Sequence, residues 1–207
     1  MLYTVLEKIR TKITIKSSQF VCDLFPIEKV EDFSEKYQLL KKEFYDANHL
    51  CYALRIGVEP LFQKYSDDGE PHGSAGKPMD MTLEKFSLTN TAAVVTRYFG
   101  GTKLGVGGLV RAYSDAVEEC IAASKLVPLK LITPVTIVCE YKELSTMLSL
   151  FENSAVEHSY EMLEHCTLQF YFPTERMESI HRQIKDIQYA VVSVQIFDSY
   201  YKTIYGS

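Results

Sequence analysis

Glycine is distributed very unevenly along this sequence, and one cluster limits what the centre of the chain can fold into. Eight of the ten glycines lie between Gly69 and Gly108, and five of them fall within residues 100–108. Inside regular structure a glycine costs roughly 1 kcal/mol relative to alanine. Clustered glycines therefore indicate turns with positive φ, or a backbone that a partner must approach closely. We expect residues 100–108 to form an exposed backbone surface.

The residues on either side of this cluster predict a strand before it and a helix after it. Residues 92–99 are mostly apolar and β-branched and end at Gly100, a pattern typical of a strand buried on both faces. Apolar residues then recur at helical spacing from about Gly108 to Ser124, which predicts a helix. The loop thus leads into a helix N-terminus, where free backbone N–H groups and the helix dipole favour an anion.

Five more elements are predicted upstream of this strand: two hairpin strands, a helix and a second pair of strands. Alternation of apolar and polar residues over 12–24 predicts a β-hairpin, and spacings of three and four over 30–44 predict an amphipathic helix. Alternation returns over 50–56, where it predicts a strand, and residues 61–65 are its expected hairpin partner. These elements belong to one mixed α and β domain.

The order of the elements changes after Pro128. The patterns there predict strand 135–141, helix 142–152, strand 156–161, strand 165–172, helix 174–187 and strand 190–199. The order βαββαβ is that of ferredoxin-like domains. The sequence therefore predicts an α+β protein with one domain at 1–128 and a second, ferredoxin-like domain at 129–207.

Composition excludes several classes of protein. With 46% hydrophobic and 24% charged residues, the chain resembles ordinary globular proteins rather than disordered ones. Charges interrupt the first ten residues and no later apolar run reaches membrane-spanning length, so we expect a cytoplasmic protein without a membrane partner. The five cysteines are scattered and include no C-x-x-C pair, which indicates reduced thiols. Because His49 and Cys51 alone cannot complete a tetrahedral metal site, we interpret both as structural.

Basic residues surround the glycine cluster, with no acidic residue from Val94 to Ser114. This favours a phosphate-bearing partner. Known phosphate motifs are absent, since Val110 stands where G-x-G-x-x-G requires glycine and Pro78 follows Gly76-Lys77, so no nucleotide cofactor is predicted. The alternative is that the glycines only allow tight packing of helix on sheet. The candidate phosphate-binding residues are Arg97, Gly100, Gly101, Lys103, Gly105, Gly107, Gly108 and Arg111.

A second polar segment, residues 66–78, precedes this region. Its carboxylates Asp67, Asp68 and Glu70 are suited to holding a divalent cation or to acting as a base, although they lack the ligand spacing of an EF-hand. The alternative is that they serve in turns and helix caps. No metal site is predicted from them.

Three stretches together resemble the Impact/YigZ family. They are HLCYALRIG (49–57), SDDGEP (66–71) and VTRYFGGTKLGVGGLVRAY (95–113), and the resemblance extends over nearly the whole chain. It departs at His72 and Ser74, where family members more often carry serine and threonine, so neither position is expected to supply a catalytic hydroxyl.

The resemblance carries expectations about fold and function. It implies an Impact-type first domain similar to the fourth domain of elongation factor G and to a small-subunit ribosomal protein, and a second domain similar to the fifth domain of that factor. The eukaryotic relatives are regulators of translation, and no established catalytic mechanism comes with the family.

Three functions fit these residues. The first is a non-enzymatic translation-associated regulator, or an RNA- or ribosome-binding protein, that uses the glycine-rich basic loop to contact RNA, the ribosome or a translation factor. The second is a small enzyme acting on a phosphorylated or nucleotide substrate, with Asp67, Asp68 or Glu70 as metal ligand or base. The third is protein docking by the outward strand face of the second domain, which should present Thr167, Gln169, Tyr171, Ser193, Gln195 and Phe197.

Overall fold

The structure is a computed structural model that describes residues 1–58 and 61–203. These residues divide into two compact units, one formed by residues 1–128 and one that begins at Leu129. The last four residues of the predicted second domain, 204–207, lie outside the described residues.

The first unit is built around a five-stranded antiparallel sheet with the order β2-β3-β6-β4-β5. The short β1 lies outside this sheet and pairs with the first residues of β7. In chain order the elements are β1 (Tyr3–Val5), β2 (Ile9–Ile15), β3 (Ser18–Pro26), α1 (Val30–Glu43), β4 (His49–Ile56), β5 (Phe62–Ser66), α2 (Gly76–Lys85), β6 (Thr91–Tyr98), α3 (Val106–Ala122) and β7 (Leu126–Cys139).

Helices cover both faces of this sheet, which explains the apolar character of its central strand. Alternate residues of β6 pack into opposite cores: Ala92 and Val94 contact the core beneath α1, whereas Ala93 and Val95 contact the core beneath α2 and α3. The predicted strand buried on both faces is confirmed. Because β6 ends at Tyr98 and α3 begins at Val106, the glycine cluster lies at one edge of a three-layer scaffold in which the sheet is the middle layer.

Helix α2 was not predicted from the sequence, which was interpreted as a loop over 66–78. The helix begins at Gly76, where a Cβ atom would lie 2.7 Å from the backbone nitrogen of Ser66. Only glycine allows the helix to start this close to the end of β5. Met79 and Leu83 then pack into the core. The predicted loop 66–78 therefore ends earlier, where α2 begins at Gly76.

The second unit has the ferredoxin-like strand order β10-β7-β9-β8, with all neighbours antiparallel. Two helices pack their apolar sides on one face of this sheet, and the predicted α+β class is confirmed. The elements after β7 are α4 (Leu144–Phe151), β8 (Glu157–Met162), β9 (Cys166–Pro173), α5 (Met177–Asp186), β10 (Val191–Ile196) and β11 (Tyr200–Thr203).

Candidate functional site

The glycine-rich loop joins β6 to α3 and packs on the turn between β2 and β3. A Cβ atom at Gly100 would overlap the backbone of Ser17, and the Gly100 N–H donates to Oγ of Ser18 at 3.1 Å. Gly101 and Gly105 have φ angles of 87° and 71°, in the left-handed region that favours glycine. Three of the predicted glycines therefore shape the loop itself.

The loop ends at the uncapped N-terminus of α3. Gly105 occupies the N-cap position and provides no side-chain acceptor, and the first turn carries no acidic residue. A Cβ atom at Gly107 would meet no atom within 4 Å. The first N–H groups of a 17-residue helix thus face an open surface without a side-chain cap, an arrangement that favours negative charge.

The predicted cations fall into two classes. Lys103 and Arg111 are exposed, whereas Arg97 is only 5% exposed and its Nη1 donates to Oε1 of Glu70 at 2.6 Å. The guanidinium carbon of Arg97 lies 5.5 Å from the ring centroids of both Phe20 and Phe99. Arg97 is therefore one half of a buried ion pair, and the exposed charge comes from Lys103 and Arg111.

A cavity of about 470 Å³ lies between the start of α3 and the ends of β4 and β6. Arg97, Lys103 and Gly105 of the predicted set line it, together with Glu70 from the second polar segment. The sequence analysis did not single out the remaining lining residues as binding residues, because strands and loops far apart in the chain supply them. They are Asn48, His49, Pro71, Phe99, Leu104, Val106 and Leu109.

Glu70 is the most buried charged group of this cavity. Its Oε1 accepts from Arg97 and also from the hydroxyl of Tyr113 at 2.8 Å, while Nε2 of His49 lies 3.9 Å from Oε2. The Nδ1 of His49 is 2.8 Å from the carbonyl oxygen of Asp68. Glu70 thus ties β6 to α3 at the base of the cavity.

Arg111 lines a second cavity, of about 390 Å³, on the other side of Leu104. Lys16 from the turn between β2 and β3 lines it too, as does Asp115. Lys16 carries no sequence signal of its own, since only the packing of that turn on Gly100 brings it to the loop. The predicted set is therefore divided between two neighbouring cavities.

Asp67 and Asp68 both hold the 66–76 segment in place. Asp67 accepts backbone N–H bonds from Gly73, Ala75 and Gly76 at 2.8–3.0 Å, and Oδ2 of Asp68 accepts the N–H of Leu50 at 2.7 Å. Burial alone would raise the pKa of Asp67, but the three N–H bonds outweigh it and hold this pKa below its ordinary value. These contacts correspond to turn and cap chemistry.

The thiol of Cys51 contacts the same segment. The Sγ of Cys51 donates to the carbonyl oxygen of Asp67 at 2.9 Å, and burial raises the pKa of this thiol, so it is protonated at neutral pH. Within residues 1–58 and 61–203, no three His, Cys, Asp or Glu side chains are grouped so as to hold a metal ion.

The fold and this site define a class: a two-unit α+β protein whose first unit presents a glycine-rich loop beside a polar cavity. Residues 16–121 match the Impact N-terminal domain. The chain is 40% identical over 162 residues to the IMPACT family member YvyE of Bacillus subtilis, covering 78% of this chain and 73% of that protein. It therefore belongs to the Impact family. YigZ of Escherichia coli is 37% identical over 138 residues, which are 66% of this chain and 68% of YigZ.

Two solved structures are also similar to this chain. One, described only as a hypothetical protein, superposes with a TM-score of 0.65 at 28% identity and covers 95% of this chain and 96% of that one. The other, described as the two-domain translational regulator Yih1, is 27% identical over 59% of this chain and 47% of its own, with a TM-score of 0.37. None of the helices within the described residues is long and apolar enough to cross a membrane.

Proposed function

We propose that this protein is a non-enzymatic, translation-associated module that docks on the phosphates of structured RNA. The docking surface, called the basic tip below, consists of the turn at Lys16, the loop 100–108 and Arg111. The observation that carries the proposal is the exposed cations of this tip, which surround a helix N-terminus without a side-chain cap.

The geometry of the basic tip suits a phosphate backbone. Lysine and arginine neutralise phosphates, and backbone N–H groups at helix N-termini donate to phosphate oxygens. Gly107 places no side chain on the first turn of α3, and a Cβ atom there would meet no atom within 4 Å, so a phosphate can approach the backbone at this position. The whole chain carries a formal charge of −5, so binding would be confined to this local basic surface rather than spread over the molecule.

The family supplies the link with translation. The resemblance to domains of elongation factor G and to a small-subunit ribosomal protein points to structured RNA of the translation machinery as the partner. The same proposal places the protein in the cytoplasm, where its five free, buried cysteines would stay reduced.

A titration with structured RNA tests the proposal. In the double variant Lys103→Glu, Arg111→Glu, RNA affinity should fall more than tenfold, and the slope of log K against log salt should decrease by about 2 because two phosphate contacts are lost. Fluorescence anisotropy with a labelled ribosomal RNA hairpin, at several salt concentrations, measures both quantities.

The control reverses two charges elsewhere. Lys41 and Lys42 are exposed in the last turn of α1, on the face of the sheet opposite α3. The variant Lys41→Glu, Lys42→Glu changes the net charge equally and should bind RNA nearly as the parent does. If the two double variants lose affinity to the same extent, the basic tip is not the docking surface.

A further inference from the structure

The cavity beside Glu70 has a base and a rim of opposite electrostatic character. The side chain of Glu70 is 3% exposed, and within the described residues two hydrogen bonds reach its Oε1 but none reaches Oε2. The rim carries the exposed Lys103 and the start of α3. A simple phosphate fits only the rim, because the buried carboxylate repels it. The matching ligand has hydrogen-bond donors at one end and negative charge at the other.

His49 adds a second acceptor next to Oε2 of Glu70. Its Nδ1 contacts the carbonyl oxygen of Asp68 at 2.8 Å, and since a carbonyl can only accept, Nδ1 carries the proton. In the neutral ring Nε2 is then an acceptor, and it lies 3.9 Å from Oε2 of Glu70. Two neighbouring acceptors match two neighbouring donors on a ligand.

Guanine is the RNA base with such an edge. Its N1–H and its 2-amino group are adjacent donors, whereas adenine and cytosine place a ring acceptor beside the amino group, and the N3–H of uracil lies between two carbonyl oxygens. Unpaired RNA bases are recognised through this edge and through stacking on aromatic rings. Phe99 lines the same cavity and is 45% exposed, so it offers a face for stacking.

We propose that this cavity binds an unpaired guanine nucleotide. The base edge meets Oε2 of Glu70 and Nε2 of His49, the ring stacks on Phe99, and the phosphate lies towards Lys103 and the first turn of α3. The cavity volume of about 470 Å³ is within the range of about 300–1,000 Å³ typical of small-ligand sites. The proposed function supplies the source of the nucleotide, an exposed guanine of the bound RNA.

A peptide N-terminus or free amino acid has the same polarity, with an ammonium group for Glu70 and a carboxylate for the rim. It lacks a planar ring that would use Phe99, and for that reason the nucleotide is favoured. The test includes glycylglycine to distinguish the two classes of ligand.

Calorimetric titration of the full chain with nucleotides tests this site. GMP should bind at least about tenfold more tightly than IMP, which lacks the 2-amino group, or UMP, whose single N3–H has no second donor beside it. Phe99→Ala should weaken GMP binding about tenfold because stacking is lost. Phe62→Ala is the matched control, since Phe62 is 44% exposed on β5 and does not line the cavity. The test avoids Glu70→Gln, because this change leaves Arg97 buried without its counter-ion and endangers folding.

The outcomes separate this site from RNA docking. Equal affinities for GMP, IMP and UMP, a phosphate affinity equal to that for GMP, or tighter binding of glycylglycine would each overturn the guanine site. If charge reversal at the basic tip weakens RNA binding while GMP does not bind the parent protein, the results support RNA docking and contradict the guanine site. If GMP binds selectively while charge reversal at the basic tip leaves RNA affinity unchanged, the cavity binds a free guanine nucleotide and the RNA proposal is wrong.

Discussion

Asp67 and Asp68 are neighbours in the chain, yet their carboxylates hold different elements. Asp68 fixes the start of β4 through the N–H of Leu50. Asp67 binds the N–H groups of Ala75 and Gly76, where α2 begins without a side-chain cap of its own. A residue eight positions before the N-cap thus replaces the usual capping side chain, and the stability of α2 depends on the charge of Asp67.

The variant Asp67→Asn should be less stable than the parent by about 1–2 kcal/mol at pH 7, because charge-assisted capping bonds are lost. Folding lowers the pKa of Asp67, so its stabilisation is complete above the unfolded value of about 3.9 and disappears as the pH falls through the lower folded value. Urea unfolding should therefore show a larger difference between this variant and the parent at pH 7 than at pH 3.

Asp115→Asn serves as the control, since Asp115 is exposed on α3 and should change stability little at either pH. If Asp67→Asn destabilised the protein equally at both pH values, Asp67 would act through packing and not through its charge.

Buried pairs between distant residues mark the limit of what could be predicted for the site. The basic character of 97–111 was visible in the sequence, but Glu70, the partner of Arg97, lies 27 residues away in the loop between β5 and α2. Sequence patterns report local periodicity and contain no information on which charges meet. The prediction that the loop leads into an open helix N-terminus depended only on local signals and is in accord with the structure.

At the scale of elements, segments with a long and regular apolar pattern were predicted well, and segments whose pattern is interrupted were not. Strand β6 and helix α3 have uninterrupted apolar patterns. Helix α2 begins with Gly-Lys-Pro and buries Asp80, which pairs with Arg55 at 3.0 Å, so its apolar periodicity is broken. Strand β7 begins at Leu126, well before the predicted strand 135–141, and runs through Pro128 and Pro134, although prolines usually interrupt a strand. Both failures arise where tertiary contacts override local preference.

Alanine substitution distinguishes the role of Gly107 in the loop from that of Gly100. Gly107→Ala should stabilise the protein by up to about 1 kcal/mol, because the position is helical and its new methyl group meets no atom within 4 Å. The same methyl group should weaken RNA binding, because it stands where a phosphate would approach the backbone. Urea unfolding and RNA titration of one protein sample give both numbers.

Gly100→Ala is the counterpart, since its methyl group would overlap the backbone of Ser17. It should destabilise the protein by about 1–3 kcal/mol. If Gly107→Ala gains stability and keeps full RNA affinity, close approach to the backbone of α3 is not part of binding, and the proposal must then depend on the side chains of Lys103 and Arg111 alone.

At the scale of the whole molecule, charge is divided unequally between the two units. Residues 1–128 carry 16 basic and 17 acidic side chains, whereas residues 129–207 carry 6 and 10. Each unit has a hydrophobic core of its own, and every residue of the basic tip and of the cavity beside Glu70 belongs to the first. The second unit therefore contributes negative charge and no residue to either proposed site.

A fragment of residues 1–128 should fold alone and bind RNA as tightly as the full chain, or slightly more tightly at low salt, because acidic groups that repel RNA are removed. It keeps the pairing of β1 with residues 126–128. Thermal unfolding followed by circular dichroism, together with the same anisotropy titration, measures folding and affinity. A fragment of residues 1–123 is the control: it lacks the partner of β1 and should unfold at a lower temperature. If the folded 1–128 fragment lost RNA affinity tenfold or more, the second unit would have to contact the RNA, and the outward face of its sheet, with Tyr171 and Phe197, would become the surface to mutate.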